Sequence, residues 1–510
     1  MTSHRFGIID IGSNSIRLVI YEVLHMGAHR VLYEKKYAAR LSQKVDPDGT
    51  ISYDAIASIL PVLRSYQEIC ASYRVNNIRA AATAAIRNAR NRDEITTWIR
   101  NEIGLEVQLI SGEDEGRLGF LGVIESLSIS DGFIIDIGGG STEITLFLDG
   151  QYKDSLSIPY GAVNSHARYG SSAYWSRDMV DAFRSSIHAY LKDYSWTQDH
   201  TGLPLVGLGG TVRSLAKMAQ KKQEYSLPVM HNYRMEPEDI RVFYNTLPYI
   251  PSDQRKKTPG LSKDRTDLII PGVILLQTIF EWLESTHYIV SGAGLRDGLF
   301  YEMMQKDYPE YMNQEVLTKS IWNLLHFNSS APAEEMNQLR SCMEQLYQEL
   351  EAESSLSDKR IIYASAMLYR IGERIQHHRA SQHSLYWIKN HGVWGLSHRE
   401  AIITAMIADY HPKSRTPMEM EHHKDILRVE DNKRVARLGS LLRLASALYG
   451  SGGSAVEKMT VNKINDTLQL KLICRREPFI ELKELEDIKK EVEKTWKLDM
   501  KWSISNSSMS

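Results

Sequence analysis

Two short stretches carry the residue types needed to hold a phosphate chain and a cation. DIGSNSIRL runs from Asp10 to Leu18, and DIGGGSTEI runs from Asp136 to Ile144. Each follows an apolar run, opens with Asp-Ile-Gly, turns through small polar residues and returns to apolar ones. A tight turn of this kind points successive backbone N–H groups into one concavity. Glycine permits the backbone angles and keeps a Cβ out of an approaching anion's path. On this reading Gly12, Ser13 and Asn14 of the first turn bind phosphate, as do Gly138, Gly139, Gly140 and Ser141 of the second. Asp10 and Asp136, at the strand ends, would meet across a cleft. Two carboxylates facing a polyanion make sense around a divalent ion, Mg2+ first, or around a held water. Glu143 follows on the return strand and reaches the same ion. Either turn alone would be an ordinary hairpin; the matched pair points to a clamp.

Further along, ISGEDEGRL (Ile110 to Leu118) sets Glu113, Asp114 and Glu115 at the start of a predicted helix. Spacing alone leaves two readings: acids that favour a helix N-terminus, or a general base among them. Arg17, Arg87 and Arg265 are candidates for bidentate phosphate pairing, although an isolated arginine is more often a surface charge. The basic loop QRKKTPGLSKDR (Gln254 to Arg265) either tracks a polyanion or is simply solvated. GLGGTVRSLA (Gly207 to Ala216) has the form of a nucleotide-facing turn, or of a close helix contact.

The elements that must position these residues follow from patterning. FGIID and IRLVIYEV read as a hairpin rich in β-branched residues. A helix is predicted near Tyr53–Tyr73, then a strand and turn in IRAAATAAIRN, a helix near Asp93–Ile103 and a strand at Val107–Ile110. The pattern restarts at GFIIDIGGG and STEITLFL, with a helix near Arg177–Lys192. PLVGLGGTVRSLAKMA and YIVSGAGLRDGLFYEMM each read strand, glycine turn, helix. The duplication is therefore at domain scale. From about Glu315 to Leu448 helical periodicity dominates. YGSGGSA (Tyr449 to Ala455) reads as a linker, an alternating segment follows, and the last residues are expected to fray.

Bulk properties narrow the classes. At 510 residues the chain is too long for one domain. A net charge of −2 argues against DNA or RNA as a whole-molecule partner. Three separated cysteines with no CxxC exclude a disulfide framework and a zinc site, and they suit a reducing cytosol. The start lacks a signal-peptide core. LIIPGVILLQTIFEWL (Leu268 to Leu283) is too short and interrupted to span a bilayer and reads as a core helix.

DIGSNSIRLVI, ISGEDEGRL, DIGGGSTEI, GLGGTVRSLA and SGAGLRDGLFYE occur in this order between Phe6 and Glu302. Together they resemble the Ppx/GppA phosphatases, exopolyphosphatases and guanosine pentaphosphate phosphohydrolases of the actin-like superfamily. The resemblance implies an α/β fold of duplicated actin-like (ribonuclease H-like) domains over 1–126 and 127–305. A mainly α, HD-like domain over 315–450 and a small α+β piece over 455–510 would follow. It also implies that Glu115, which precedes Gly116 and Arg117, is the general base; Asp114 stands where family members often carry Glu. Arg17 stands where some carry His, and Arg87 and Arg265 match basic positions. Tyr369-Arg370 stands where an HD site needs His-Asp, so the helical domain is expected to lack dinuclear metal chemistry. Its histidines (His377, His378, His383, His391, His398, His411, His422, His423) could line a polyphosphate channel, stabilise a dimer, or be scattered surface residues. The expected protein is a cytoplasmic, homodimeric, Mg2+-dependent exopolyphosphatase acting through a Glu115-activated water. K+ stands as a further candidate cation. The alternative substrate is pppGpp; a kinase and a non-catalytic phosphate or alarmone sensor are weaker rivals.

Overall fold

A computed structural model describes residues 3–170, 174–329, 332–351, 355–451 and 453–506. The chain divides into two compact units, Met1–Val316 and Leu317–Ser510.

The first unit contains two sheets. β1 (Ser3–Ile11), β2 (Ile16–Leu24) and β3 (His29–Tyr37) form an antiparallel meander, and β4 (Asn77–Ala82) and β5 (Val107–Leu109) add in parallel, in the order β3-β2-β1-β4-β5. The second sheet repeats this plan. β6 (Gly132–Ile137), β7 (Thr142–Leu148) and β8 (Gln151–Ile158) form the meander, and β9 (Leu205–Leu208) and β11 (Tyr288–Val290) follow in parallel. β10 (Tyr233–Met235) pairs antiparallel on the outer edge. The duplication suggested by two turns is thus a duplication of strand order. Each sheet has its own apolar core, built on Ile9, Ile11, Leu18 and Ile56 in one and on Phe133, Ile144, Val212 and Ile274 in the other.

Local departures from the sequence pattern have simple causes. The predicted helix across Tyr53–Tyr73 is two helices, Tyr53–Ala57 and Leu60–Ser72. Pro61 lies in the first turn of the second, where its missing N–H is harmless but where it cannot continue a preceding helix. β3 is mostly exposed and β8 only partly so, and polar residues dominate both, so neither carries an apolar alternation along its whole length. The apolar run at Leu268–Leu283 forms α3 (Ile269–Trp282), buried throughout Ile269–Phe280. Among the described residues no helix is long and apolar enough to cross a membrane. The three cysteines are free and buried.

Three further helices frame the site: α1 (Gly112–Ile124), α2 (Gly209–Lys222) and α4 (Leu295–Asp307). α1 and α4 cross backbone to backbone. A Cβ on Gly122 would lie 2.5 Å from the Gly294 carbonyl oxygen, and one on Gly298 would lie 1.9 Å from that of Leu118. α4 also lies against the first sheet. The Tyr21 hydroxyl donates to Asp297 at 3.0 Å, its ring stacks on Phe300 at 3.9 Å, and Glu302 pairs with Arg79 at 2.6 Å and Arg117 at 2.7 Å.

The described residues of the second unit up to Tyr449 are mainly helical, with the longest helix at Val429–Tyr449. β12 (Val456–Ile464), β13 (Thr467–Cys474) and β14 (Asp499–Asn506) then form a three-stranded sheet with the helix Phe479–Trp496. Of the last five residues, expected to fray, Asn506 instead ends β14, and 507–510 lie outside the described residues, as does residue 452 of the glycine-rich linker. Arg370 is held by Glu335 and, at 2.7 Å, by Glu373. His423 is fully buried, and His391 stacks on Trp387. Among the described residues no three His, Cys, Asp or Glu side chains converge to hold a metal.

Candidate functional site

The two glycine turns are closed by the same hydrogen bond. Gly12 N–H donates to the Ser15 carbonyl at 3.1 Å, and Gly138 N–H donates to that of Ser141 at 3.0 Å. The carbonyls inside the turns are taken by protein donors. Ser13 accepts from Ser42 N–H, Asn14 from Arg40 N–H, Gly139 from Val163 N–H and Gly140 from the Asn164 amide. This leaves the N–H edges of the turns for an anion. The turns face each other closely: a Cβ on Gly139 would lie 3.0 Å from the Ser13 Cβ, and one on Gly140 would lie 3.1 Å from the Ser13 hydroxyl.

The two hairpins have the same register but different chemistry. Asp10 on β1 sits opposite Arg17 on β2, whereas Asp136 on β6 sits opposite Glu143 on β7. One half therefore presents an acid and a cation, and the other presents two acids.

Between them lies a cleft lined by Asp10, Gly12, Ser13, Asn14, Arg17, Glu115, Asp136, Gly138, Gly139, Ser141 and Arg265, all expected from sequence. Gly140 packs behind this lining, and Glu143 is buried, accepting from the Ser157 hydroxyl at 2.8 Å. α1 sorts its three acids. Ser111 caps the helix by accepting from Asp114 N–H, and its hydroxyl donates to the Asp114 carboxylate at 2.8 Å. Glu113 faces solvent, and Glu115 reaches the cleft. Gly116 permits this: its Cβ would lie 2.8 Å from the Thr145 hydroxyl, so α1 lies directly on the second sheet.

Arg87 departs from its sequence expectation. It is absent from the cleft lining; its guanidinium donates to Glu115 at 2.6 Å and to the Ile110 carbonyl at 3.0 Å, with Glu143 3.9 Å away. The basic loop divides in two. Arg255 is buried and donates to the carbonyls of Ile250 and Thr266, while Arg265 enters the cleft and lies over Gly210, whose Cβ would be 1.8 Å from the guanidinium.

Two lining arginines escaped the sequence reading: Arg213 near the start of α2 and Arg296 in the first turn of α4. A usable signal was present. Like Arg17, each follows a glycine turn by a few residues, inside GLGGTVRSLA and SGAGLRDGLFYE.

The cleft is unbalanced in both signs at once. Burial raises the pKa of Asp10 despite Arg296 and Arg17, and that of Asp136, where Asp10 adds to the effect. Burial and then Glu143 push Glu115 well above the usual carboxylate range, and burial and then Asp136 push Glu143 up to about 7. The cations shift the other way. Burial, then Arg296 and Arg213, bring Arg17 down to about 10; burial also lowers Arg213 and Arg265. Acids of this kind call for a cation, and arginines of this kind call for an anion.

The residues fit a divalent ion of limited protein ligation. Glu143 keeps one buried carboxylate oxygen with no partner, and Asp10 and Asp136 are carboxylates that burial makes costly to ionise. Among the described residues no three acids form a ready cage. Mg2+ needs none, because it is commonly held by one or two carboxylates, waters and substrate phosphates.

Comparison with known proteins gives concordant findings. Residues 19–307 match the model of the Ppx/GppA phosphatase family, and residues 330–494 match that of Ppx/GppA phosphatase, domain III. Exopolyphosphatase 1 of Mycobacterium tuberculosis is 27% identical over 308 residues, 59% of this chain and 89% of the relative. The guanosine-5'-triphosphate,3'-diphosphate pyrophosphatase of Photobacterium profundum is 25% identical over 450 residues, 87% of this chain and 86% of the relative. The crystal structure of the Aquifex aeolicus Ppx/GppA family member superposes with a TM-score of 0.53 at 29% identity, covering 60% of this chain and 99% of that one.

Proposed function

The chain belongs to the Ppx/GppA phosphatase family and is a hydrolase of phosphoanhydride bonds, and from that premise we propose that it is an exopolyphosphatase, releasing orthophosphate from the end of inorganic polyphosphate. The observation that carries this reading is the double imbalance of the cleft: Arg17, Arg213, Arg265 and Arg296 opposite Asp10, Asp136 and Glu115. A polyanion accompanied by a divalent cation relieves both at once; a neutral or monoanionic substrate relieves neither.

In this reading the N–H groups and hydroxyls of both turns bind the terminal phosphates, and the arginines neutralise the chain that follows. Glu115 holds the attacking water and takes its proton. Arg87 serves through Glu115, orienting it and favouring its ionised form, rather than by binding phosphate itself. Asp136 leads the acids that would hold Mg2+, with Glu143 and Asp10 supporting; the ion, when bound, supplies charge neutralisation at phosphate oxygens. The two halves exclude water around the reacting phosphoryl group.

The second reading, removal of the 5'-terminal phosphate of pppGpp, is favoured by the relative from Photobacterium profundum, which aligns with most of this chain. Initial rates of phosphate release from long-chain polyphosphate and from pppGpp decide between them. A higher kcat/KM for polyphosphate supports the proposal, and a higher kcat/KM for pppGpp overturns the substrate while keeping the chemistry.

We further propose domain limits at 1–126, 127–305, 315–450 and 455–510. The third is proposed as an HD-like domain without metal chemistry, because Arg370 is committed to Glu335 and Glu373. A cytoplasmic homodimer, with K+ as an accessory cation, completes the proposal.

A further inference from the structure

Strand β3 borders the cleft and brings an acid to it. The carboxylate of Glu34 lies 3.1 Å from the guanidinium of Arg296 and 3.9 Å from that of Arg17. Among the described residues it is the only acidic side chain within ion-pair distance of either. Glu34 is itself 53% exposed, at the solvent edge of the site. A carboxylate shared by two arginines occupies the position a phosphate would take. It differs from the other acids of the cleft, which are far more buried, because about half of its side chain already faces solvent. Two residues along on the same face of β3 stands Lys36, directly opposite Arg17 in the strand register. The rim therefore offers a chain leaving the cleft a cation beside the acid.

We propose that Glu34 is an internal competitor for Arg17 and Arg296, a carboxylate that any phosphate group bound by these arginines must displace. The inference rests on the exopolyphosphatase reading and names a property of that same site. Breaking the Glu34 pairs costs every such ligand the same free energy and so lowers each affinity by the same factor. A chain that also contacts both turns, Arg213 and Arg265 stays bound despite that cost, whereas orthophosphate, with fewer contacts, is left weakly held. Glu34 thereby weakens retention of the product.

The alternative physical role has the opposite sign. If Glu34 instead braced the two arginines in a binding geometry, removing it would weaken every phosphate ligand. Titration calorimetry separates these roles, using orthophosphate, tripolyphosphate and long-chain polyphosphate with Mg2+ on Glu115→Gln, which is expected to bind its ligands without hydrolysing them, and on the same protein carrying Glu34→Gln or Glu34→Ala. The proposal expects about three- to five-fold tighter orthophosphate binding in both variants, the scale of a half-exposed ion pair. A gain of the same factor is expected for tripolyphosphate and for the long chain, all shrinking at high salt. Unchanged affinities or weaker binding of all three would overturn it. If the Glu115→Gln parent binds none of the three, the exopolyphosphatase reading itself fails, a result distinct from binding that does not respond to Glu34.

Discussion

Replacing Arg87 by Met tests how the site prepares its base. Arg87 meets Glu115 at 2.6 Å, and the two side chains are only 13% and 11% exposed. Removing one partner of such a pair leaves a buried carboxylate uncompensated, a loss of about 3 kcal/mol or more. Glu115 is already pushed well above the usual carboxylate range by burial and Glu143, and Arg87 is the first group opposing that shift. Without Arg87 its pKa rises further. The base works only when deprotonated, so at pH 7 a smaller fraction of enzyme is competent. We expect kcat/KM at pH 7 to fall about a hundred-fold, the rate equivalent of about 3 kcal/mol. The acidic limb of the pH–rate profile should move to higher pH, with partial recovery under alkaline conditions. Steady-state phosphate release across a pH series measures this. A loss confined to KM, with an unmoved profile, would show that Arg87 binds phosphate directly and would refute the reasoning.

Other perturbations have equally definite signs. Gly210→Ala places a Cβ 1.8 Å from the Arg265 guanidinium and should raise KM about as much as Arg265→Ala does; a wild-type KM contradicts the assigned position of Arg265. Gly298→Ala drives a Cβ against the Leu118 carbonyl between α1 and α4, and overpacking of this kind costs about 1–3 kcal/mol. Denaturant melts should register that loss, together with a fall in kcat as Glu115 shifts with α1. Glu143 is neutral in both folded and unfolded states below its ordinary pKa, and its folded pKa lies at about 7. Its contribution to stability is therefore present in acid and lost as pH rises through about 7. Without divalent ions the melting temperature should fall across that range, and Mg2+ should restore more of it at pH 8 than at pH 5. Equal Mg2+ stabilisation at both pH values would detach the ion from these acids.

What the sequence made legible was chemistry packaged in short local motifs. Asp-Ile-Gly followed by small polar residues implies a strand, a turn and an acid at the strand end, and all three are formed locally. Glu115 was separable from Glu113 and Asp114 only by resemblance, because helix-start acids look alike until Ser111 captures Asp114 and Gly116 seats α1 on the second sheet. The pairing of Arg87 with Glu115 was not legible for a related reason: an arginine's neighbour depends on what the fold brings opposite it, and Glu115 arrives from another element. Arg213 and Arg296 were hidden because their cleft positions depend on where α2 and α4 begin relative to strands far away in sequence. The edge strands β3 and β8 lacked a clear signal because polar side chains dominate both and leave few apolar residues to mark a buried face. Glu34, on one of these strands, was invisible for that reason.

The central claim is that Glu115 activates water against the end of a polyphosphate chain gripped by the two turns. Phosphate release from long-chain polyphosphate with Mg2+, for wild type and Glu115→Gln, tests it most directly, with polyphosphate binding of both proteins measured in parallel. Loss of a general base is expected to slow turnover about 10²- to 10⁴-fold while binding is retained. A Glu115→Gln protein that turns over at the wild-type rate would contradict the account.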